Sequence, residues 1–186
     1  MSSIQSLILT PADGAYTKET KNVGMRAVPI KVLLNISDFD DPKELARIAD
    51  LVNSMRLQTR EGPAVIDPHA VLCQGPAGEY WQQAPSTVEA NYIPGEKDGA
   101  WTKYDPRPGR IVDVYRVTEE DAQRYQYVQG LWGTTVEGVP NLQKIQAGDY
   151  VGRDPANHDD RWVIAGSIHR NTYGPVKTAE SATSDA

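Results

Sequence analysis

Residues with acid–base or metal-ligand chemistry crowd one short stretch of the chain, where Asp154, His158, Asp159 and Asp160 fall close together. A metal site or a general base needs such side chains aimed at one point. Residues this close along a polar turn also serve simply by bonding nearby backbone. Asp149, just after Gly148, reads either as a catalytic carboxylate or as an acceptor of backbone N–H groups at a strand bend. His69, His158 and His169 are scattered and converge only if folding brings them together. Cys73 lies among apolar residues with no base near it and reads as a small buried hydrophobe. Trp81, Tyr92, Trp162 and Tyr173 offer contact area with a polar tip, suited to a ligand groove or to anchoring a core. The candidate ligand-binding set is Trp81, Tyr92, Asp149, Tyr150, His158, Trp162 and Tyr173. No catalytic residue, metal ligand or cofactor is assigned, and no Walker loop, G-x-G-x-x-G, H-E-x-x-H or G-x-S-x-G occurs.

Composition bounds the rest. A chain of 186 residues, 39 % hydrophobic, buries one ordinary core or two small ones. Thirteen prolines and fifteen glycines indicate many turns and short elements. A net charge of −6 and a pI near 5.1 argue against nucleic acid, which calls for clustered Lys and Arg. No apolar run approaches the ~20 residues of a membrane span, and Met1 to Leu9 lacks the pattern of a signal peptide. A single cysteine rules out an intramolecular disulfide. The expectation is a cytoplasmic protein without a membrane partner, of undetermined oligomeric state.

The elements that position these residues follow from pattern. Ile4 to Leu9 reads as a strand or docked arm, and 10–24 as loop. Ala27 to Ile36 reads as a strand. Asp41-Pro42-Lys43-Glu44 combines an N-cap carboxylate, proline at the first helical position and a capping-box Glu. Leu45, Ile48, Ala49, Val52 and Met55 follow at helical spacing, so a helix is expected over 42–56, laid on a sheet by that stripe. Short strands bracket Gly75–Gly78, and Ser86 to Tyr92 forms a helical turn. Ile111 to Val117 is a strand, and Thr118 caps a second helix ending near Gly130. Lys144 to Gly152 and Arg161 to Ala165 form a hairpin with 154–160 as its loop. The fold class is α+β, with short antiparallel strands and hairpins and two capped helices.

A shift of 81 positions brings Ile30 onto Ile111, Trp81 onto Trp162 and Tyr92 onto Tyr173, so a tandem pseudo-repeat is one expectation. The corresponding segments are an N-terminal strand and loop (1–25), a first α+β half (26–94), a connector (95–106), a second half (107–175) and a disordered tail (176–186).

At Ala147-Gly148-Asp149-Tyr150-Val151, followed by Asp159-Asp160-Arg161-Trp162-Val163-Ile164 and Tyr173, the chain resembles the PGDYG-type proteins of bacteria and similar short phage proteins. Ala147 stands for the leading proline and Val151 for the trailing glycine. The family carries no assigned activity, so the resemblance implies a shape and a bacterial or phage setting. The leading functional expectation is a non-catalytic binding or interaction protein holding a protein or small ligand. The alternatives are a small hydrolase-like enzyme using Asp149 or the His158, Asp159, Asp160 turn, and a structural subunit of a larger assembly.

Overall fold

The structure, a computed structural model, describes residues 3–59 and 62–176. It is α+β, built from short antiparallel strands and five helices. In chain order, two single 3-10 turns (Ile4–Leu7, Asp13–Ala15) precede β1 (Thr17–Lys21). Then come β2 (Met25–Pro29), α1 (Ile30–Leu33), α2 (Pro42–Ser54), β3 (Arg56–Thr59) and β4 (Gly62–Val65). These are followed by β5 (Val71–Gln74), β6 (Tyr80–Gln83), α3 (Pro85–Asn91), β7 (Tyr92–Asp98) and β8 (Trp101–Pro106). After them run β9 (Ile111–Arg116), α4 (Glu119–Arg124), β10 (Tyr127–Val136) and β11 (Val139–Lys144). The last elements are β12 (Tyr150–Asp154), β13 (Asn157–Ile164), α5 (Gly166–Thr172) and β14 (Tyr173–Pro175).

The chain divides into two compact units. Among the described residues, one joins those up to Asn22 to those from Pro108 to Val176, and the other lies within Val23–Arg107. The segment ending at residue 25 is therefore not a separate piece, because β1 pairs with β9 and β14 in the first unit. Residues 95–106 are not a connector either. They form most of the β7–β8 hairpin, turned by Gly99 at φ 61°.

In the second unit, a five-stranded sheet has the order β6-β5-β2-β8-β7. Its strands alternate side chains between faces, which buries Met25, Ala27, Val71 and Cys73 with Val88 and Tyr92, and packs Trp81 and Tyr104 against them. Pro29 has no N–H to donate, and pairing with β8 stops at Ala27, so the strand expected to reach Ile36 gives way to the single turn of α1. Asp41 caps α2 by accepting from Lys43 N, while Glu44 turns to Arg47 (2.6 Å) instead of closing a capping box. Of its apolar stripe Ile48 is buried, whereas Leu45 is 48 % exposed, contrary to the expectation of a helix laid flat on a sheet. β3 and β4 form a separate hairpin.

The first unit has a five-stranded sheet of order β13-β12-β9-β1-β14. One face carries Val112, Val114 and Ile164, with Tyr150, Trp162, Ile168 and Tyr173 packed on them. The other carries Val117, Val151 and Val163 with Leu9 and Val128. The capping box at Thr118 is present, with Asp121 in reciprocal bonds, but α4 stops at Arg124 rather than near Gly130. The chain then enters the β10–β11 hairpin, whose turn at Glu137 and Gly138 has φ of 48° and 83°, the left-handed values of a tight hairpin turn. Lys144 belongs to this hairpin, not to the next. In β12–β13 the expected loop at 154–160 is only Pro155-Ala156. Arg153 faces Arg161 and Asp154 faces Asn157, so His158, Asp159 and Asp160 form a bulge within β13. The expectation of a disordered tail lies, beyond Val176, outside the described residues.

Each sheet contains a ladder of the same pattern. Trp81 pairs with Cys73, Cys73 with Ala27, and Ala27 with Thr102. In the other sheet Trp162 pairs with Gly152, Gly152 with Val114, and Val114 with Thr17. At each far edge a seven-residue helix precedes Tyr92 or Tyr173. The ladder sets Ala27, not Leu33, in the place of Val114, so a constant shift of 81 does not describe the strands β2 and β9.

Candidate functional site

The side chains that stand out chemically lie in the first unit. β1 carries Glu19 on the face shared with Val112, its partner on β9. α5 crosses that face and brings His169, which is 8 % exposed, onto Glu19 with Nε2 2.7 Å from Oε2. Tyr150, the first residue of β12, stacks on the imidazole with ring centres 3.5 Å apart and planes 7° apart. Tyr173 lies nearly parallel to the same ring at 5.6 Å and 4°. A carboxylate on one ring nitrogen fixes the orientation of an imidazole, and the aromatic faces beside it confine the ring further. Such a pair can bind a polar ligand group or move a proton.

The second unit serves as an internal comparison. Counting back four residues from Tyr92 and Tyr173 places Val88 where His169 stands. The ladder places Tyr104 in the position of Glu19 and Val71 in that of Tyr150. The same architecture thus closes with Val, Tyr and Val, all packed in an apolar cluster. Packing alone does not require the His–Glu pair.

On the opposite face, Arg153 is 4 % exposed and joins Asp113 (Nε to Oδ2, 3.1 Å) and Asp13, with its guanidinium 3.9 Å above the Tyr16 ring. Lys18 reaches the other oxygen of Asp113 at 3.2 Å. Hydrogen bonding and charge from Arg153 hold the Asp13 carboxyl below its usual range. A buried charge persists only when paired and hydrogen-bonded, and these partners fasten β1, β9 and β12 together.

A third feature is the four-residue bulge Gly130-Leu131-Trp132-Gly133 in β10. Gln129 and Thr134 both face Leu142, so the residues between them loop out. A Cβ on Gly130 would collide with the Arg161 carbonyl, and one on Gly133 would lie 2.6 Å from the Asn141 carbonyl carbon. Gln143, 4 % exposed, holds the bulge: Nε2 donates to the carbonyls of Trp132 (2.8 Å) and Arg161 (3.2 Å), while Oε1 accepts from Val163 N (2.9 Å). This buried amide supports a Trp132 that is 73 % exposed.

The candidates from sequence separate accordingly. Tyr150, Trp162 and Tyr173 meet around one apolar cluster, and Trp81 and Tyr92 meet in the cluster of the other unit. Asp149 is buried and accepts from Gln146 N at 3.1 Å. The acidic bulge does not converge. His158 faces Asp13 (3.5 Å), and Asp159 faces Arg161 (3.9 Å). Burial first, and then Asp154, pushes the Asp160 carboxyl up. His69 stacks on Phe39, so the three histidines keep separate partners. Among the described residues no three His, Cys, Asp or Glu side chains group as metal ligands, and no helix is long and apolar enough to cross a membrane. Sequence reasoning missed Glu19, Gln143 and Trp132. The signal for the His–Glu site was present in the shift that set His169 on Val88, a polar residue at an apolar helix position.

No family model matches the sequence, and no solved structure matches it. A mitochondrial homoaconitase of Chaetomium globosum is 32 % identical over 116 residues, a region covering 55 % of this chain and 13 % of that protein. The chain therefore spans about an eighth of that relative's length.

Proposed function

We propose that this is a non-catalytic binding protein, of the bacterial or phage type that the Gly148-Asp149-Tyr150 resemblance implies, which engages a protein partner through Leu131 and Trp132. The observation that carries this reading is the bulge. Two glycines in close quarters and a buried three-bonded glutamine hold an indole in water. Exposed aromatics on a fixed support are the usual anchors of protein interfaces. The net charge of −6 favours a protein cleft with an apolar floor over a phosphate backbone. The test compares proteins retained from a native extract by the wild-type, Trp132→Phe and Trp132→Ala chains. A partner held by the first two and lost by the third, with equal melting temperatures, is expected. If no retained protein depends on Trp132, the reading fails.

A second reading, an acid–base enzyme, draws on the His169–Glu19 pair rather than on Asp149 or the acidic bulge. It predicts hydrolysis of some chromogenic ester that His169→Val removes and Trp132→Ala leaves intact. A third reading, a structural subunit of a larger assembly, would show as an assembled state that Trp132→Ala disperses. The shared ladder and matching edge helices also support a tandem duplication of one α+β half.

A further inference from the structure

The strand orders contain a displacement. β1 lies between β9 and β14, and β8 lies between β2 and β7. Along the chain, however, β1 leads into β2 and β8 leads into β9. With each half extended to include the strand that precedes it, β1–β7 and β8–β14, each lends its first strand to the sheet of the other. The lent segments match in sequence, Asp-Gly-Ala-Tyr-Thr-Lys at 13–18 and Asp-Gly-Ala-Trp-Thr-Lys at 98–103. Their registers match too. Thr17 faces Val114 as Thr102 faces Ala27, and Lys21 faces Tyr173 as Pro106 faces Tyr92.

β1 is hydrogen-bonded on both sides, so without it the first unit's sheet falls into two pieces. It also brings Glu19 to His169, Lys18 to Asp113 and, just ahead of it, Asp13 to Arg153. Between β1 and β2 only Asn22, Val23 and Gly24 remain. Asn22 N donates to the Thr172 carbonyl in one unit, and a Cβ on Gly24 would collide with the Tyr104 carbonyl in the other. A short span between a lent strand and its own half is the arrangement found in domain-swapped molecules.

Resting on the duplication reading, we propose that the slot between β9 and β14 takes β1 from a second copy of this chain as readily as from its own, giving a dimer in which each copy supplies Glu19 to the partner's site. The slot reads backbone ladders and the Lys18 and Glu19 contacts, none of which records which chain the strand came from. The tether alone favours self-supply, through an effective concentration on the order of millimolar for a short linker. Exchange between copies therefore rises with protein concentration during folding.

The test uses the full chain in a Cys73→Ala background. Thr20 and Ile111 face each other across β1 and β9, and directly opposed residues come near the reach of a disulfide. A chain carrying both Thr20→Cys and Ile111→Cys should oxidise to a cross-linked monomer. The two single variants, mixed equally, refolded near millimolar concentration and oxidised, should yield a disulfide-linked heterodimer. Its share should fall several-fold on about tenfold dilution before refolding. Coexpression of the two variants replaces refolding where recovery is poor. If the double variant cross-links but no heterodimer forms, exchange between copies is overturned and the duplication stands. If the double variant does not cross-link, the β1–β9 register is wrong, and both the exchange and the shared ladder behind the duplication fall.

Discussion

Replacing Gln143 with alanine tests the support of the protruding bulge most directly. The amide makes three hydrogen bonds to backbone groups, at 2.8, 2.9 and 3.2 Å, from a position 4 % exposed. Each such bond contributes about 0.5–1.5 kcal/mol net, and the Val163 N–H, in a buried strand residue, loses its acceptor. The expected loss is about 2–4 kcal/mol, or roughly 5–15 °C in melting temperature for a chain of this length. Circular dichroism on heating measures the loss, and hydrogen exchange at the Val163 amide localises it. Gln143→Glu sharpens the test, because a carboxylate can accept from Val163 N but cannot donate to the carbonyls of Trp132 and Arg161. It should destabilise at least as much as alanine. Melting within about 1 °C of wild type for both variants, with the Val163 amide still protected, would refute the view that Gln143 holds the bulge.

Ile48→Ala should cost about 2–5 kcal/mol, whereas Leu45→Ala on the same stripe should cost little, since Leu45 is half exposed; paired denaturant titrations decide this. Gly152→Ala would set a Cβ 2.7 Å from the Trp162 ring and should destabilise by about 1–3 kcal/mol, with a change in near-ultraviolet dichroism. Hydrogen bonding to Asp121, followed by burial, pushes the Tyr115 phenol up to about 12, above the ordinary 10.0 of a tyrosine. Its contribution to stability should be complete below pH 10 and vanish as pH rises through about 12, and Tyr115→Phe should abolish that component. For Asp121, burial raises the carboxyl but hydrogen bonds from Thr118 and Tyr115 outweigh it and hold it low. Its contribution should be present above about pH 4 and be lost as pH falls below that, which an acid titration of Asp121→Asn would reveal by its absence.

Local signals were the legible part of this fold. The caps at Asp41 and Thr118, the hairpin around Trp162 and the buried Cys73 follow from short-range pattern, and all are found. Helix ends and strand partners were not readable, because they depend on residues far away. α4 stops at Arg124 because Tyr127 and Val128 are claimed by the ladder with β11. Residues 95–106 look like a connector because Pro, Gly and charge dominate them, yet they pair as β7 and β8. Of the site, Tyr150 and Tyr173 were singled out by type, while Glu19 sat in a polar stretch that looked like loop. Its role arises only when β1 is set against α5, at the far end of the chain. Trp132 was hidden for another reason. Nothing in Gly-Leu-Trp-Gly announces that the flanking strands close beneath it and leave the indole outside.

The borrowed position of β1 has a consequence for the order in which the molecule can form. All strands of the second unit's five-stranded sheet lie between Val23 and Arg107, so that sheet can close while the rest of the chain is still being synthesised. β1 is made before β9 and β14 and has nothing to pair with until β9 emerges, since Lys18 and Asp113 are 95 residues apart. Its second flank waits longer still, for Glu19 and His169 are separated by 150 residues. Contacts so distant are slow to form and leave strand edges open in the meantime. A strand made before both of its partners is then among the last to be ordered, and the amides of β1 should be the latest to gain protection in a pulse-labelled refolding experiment.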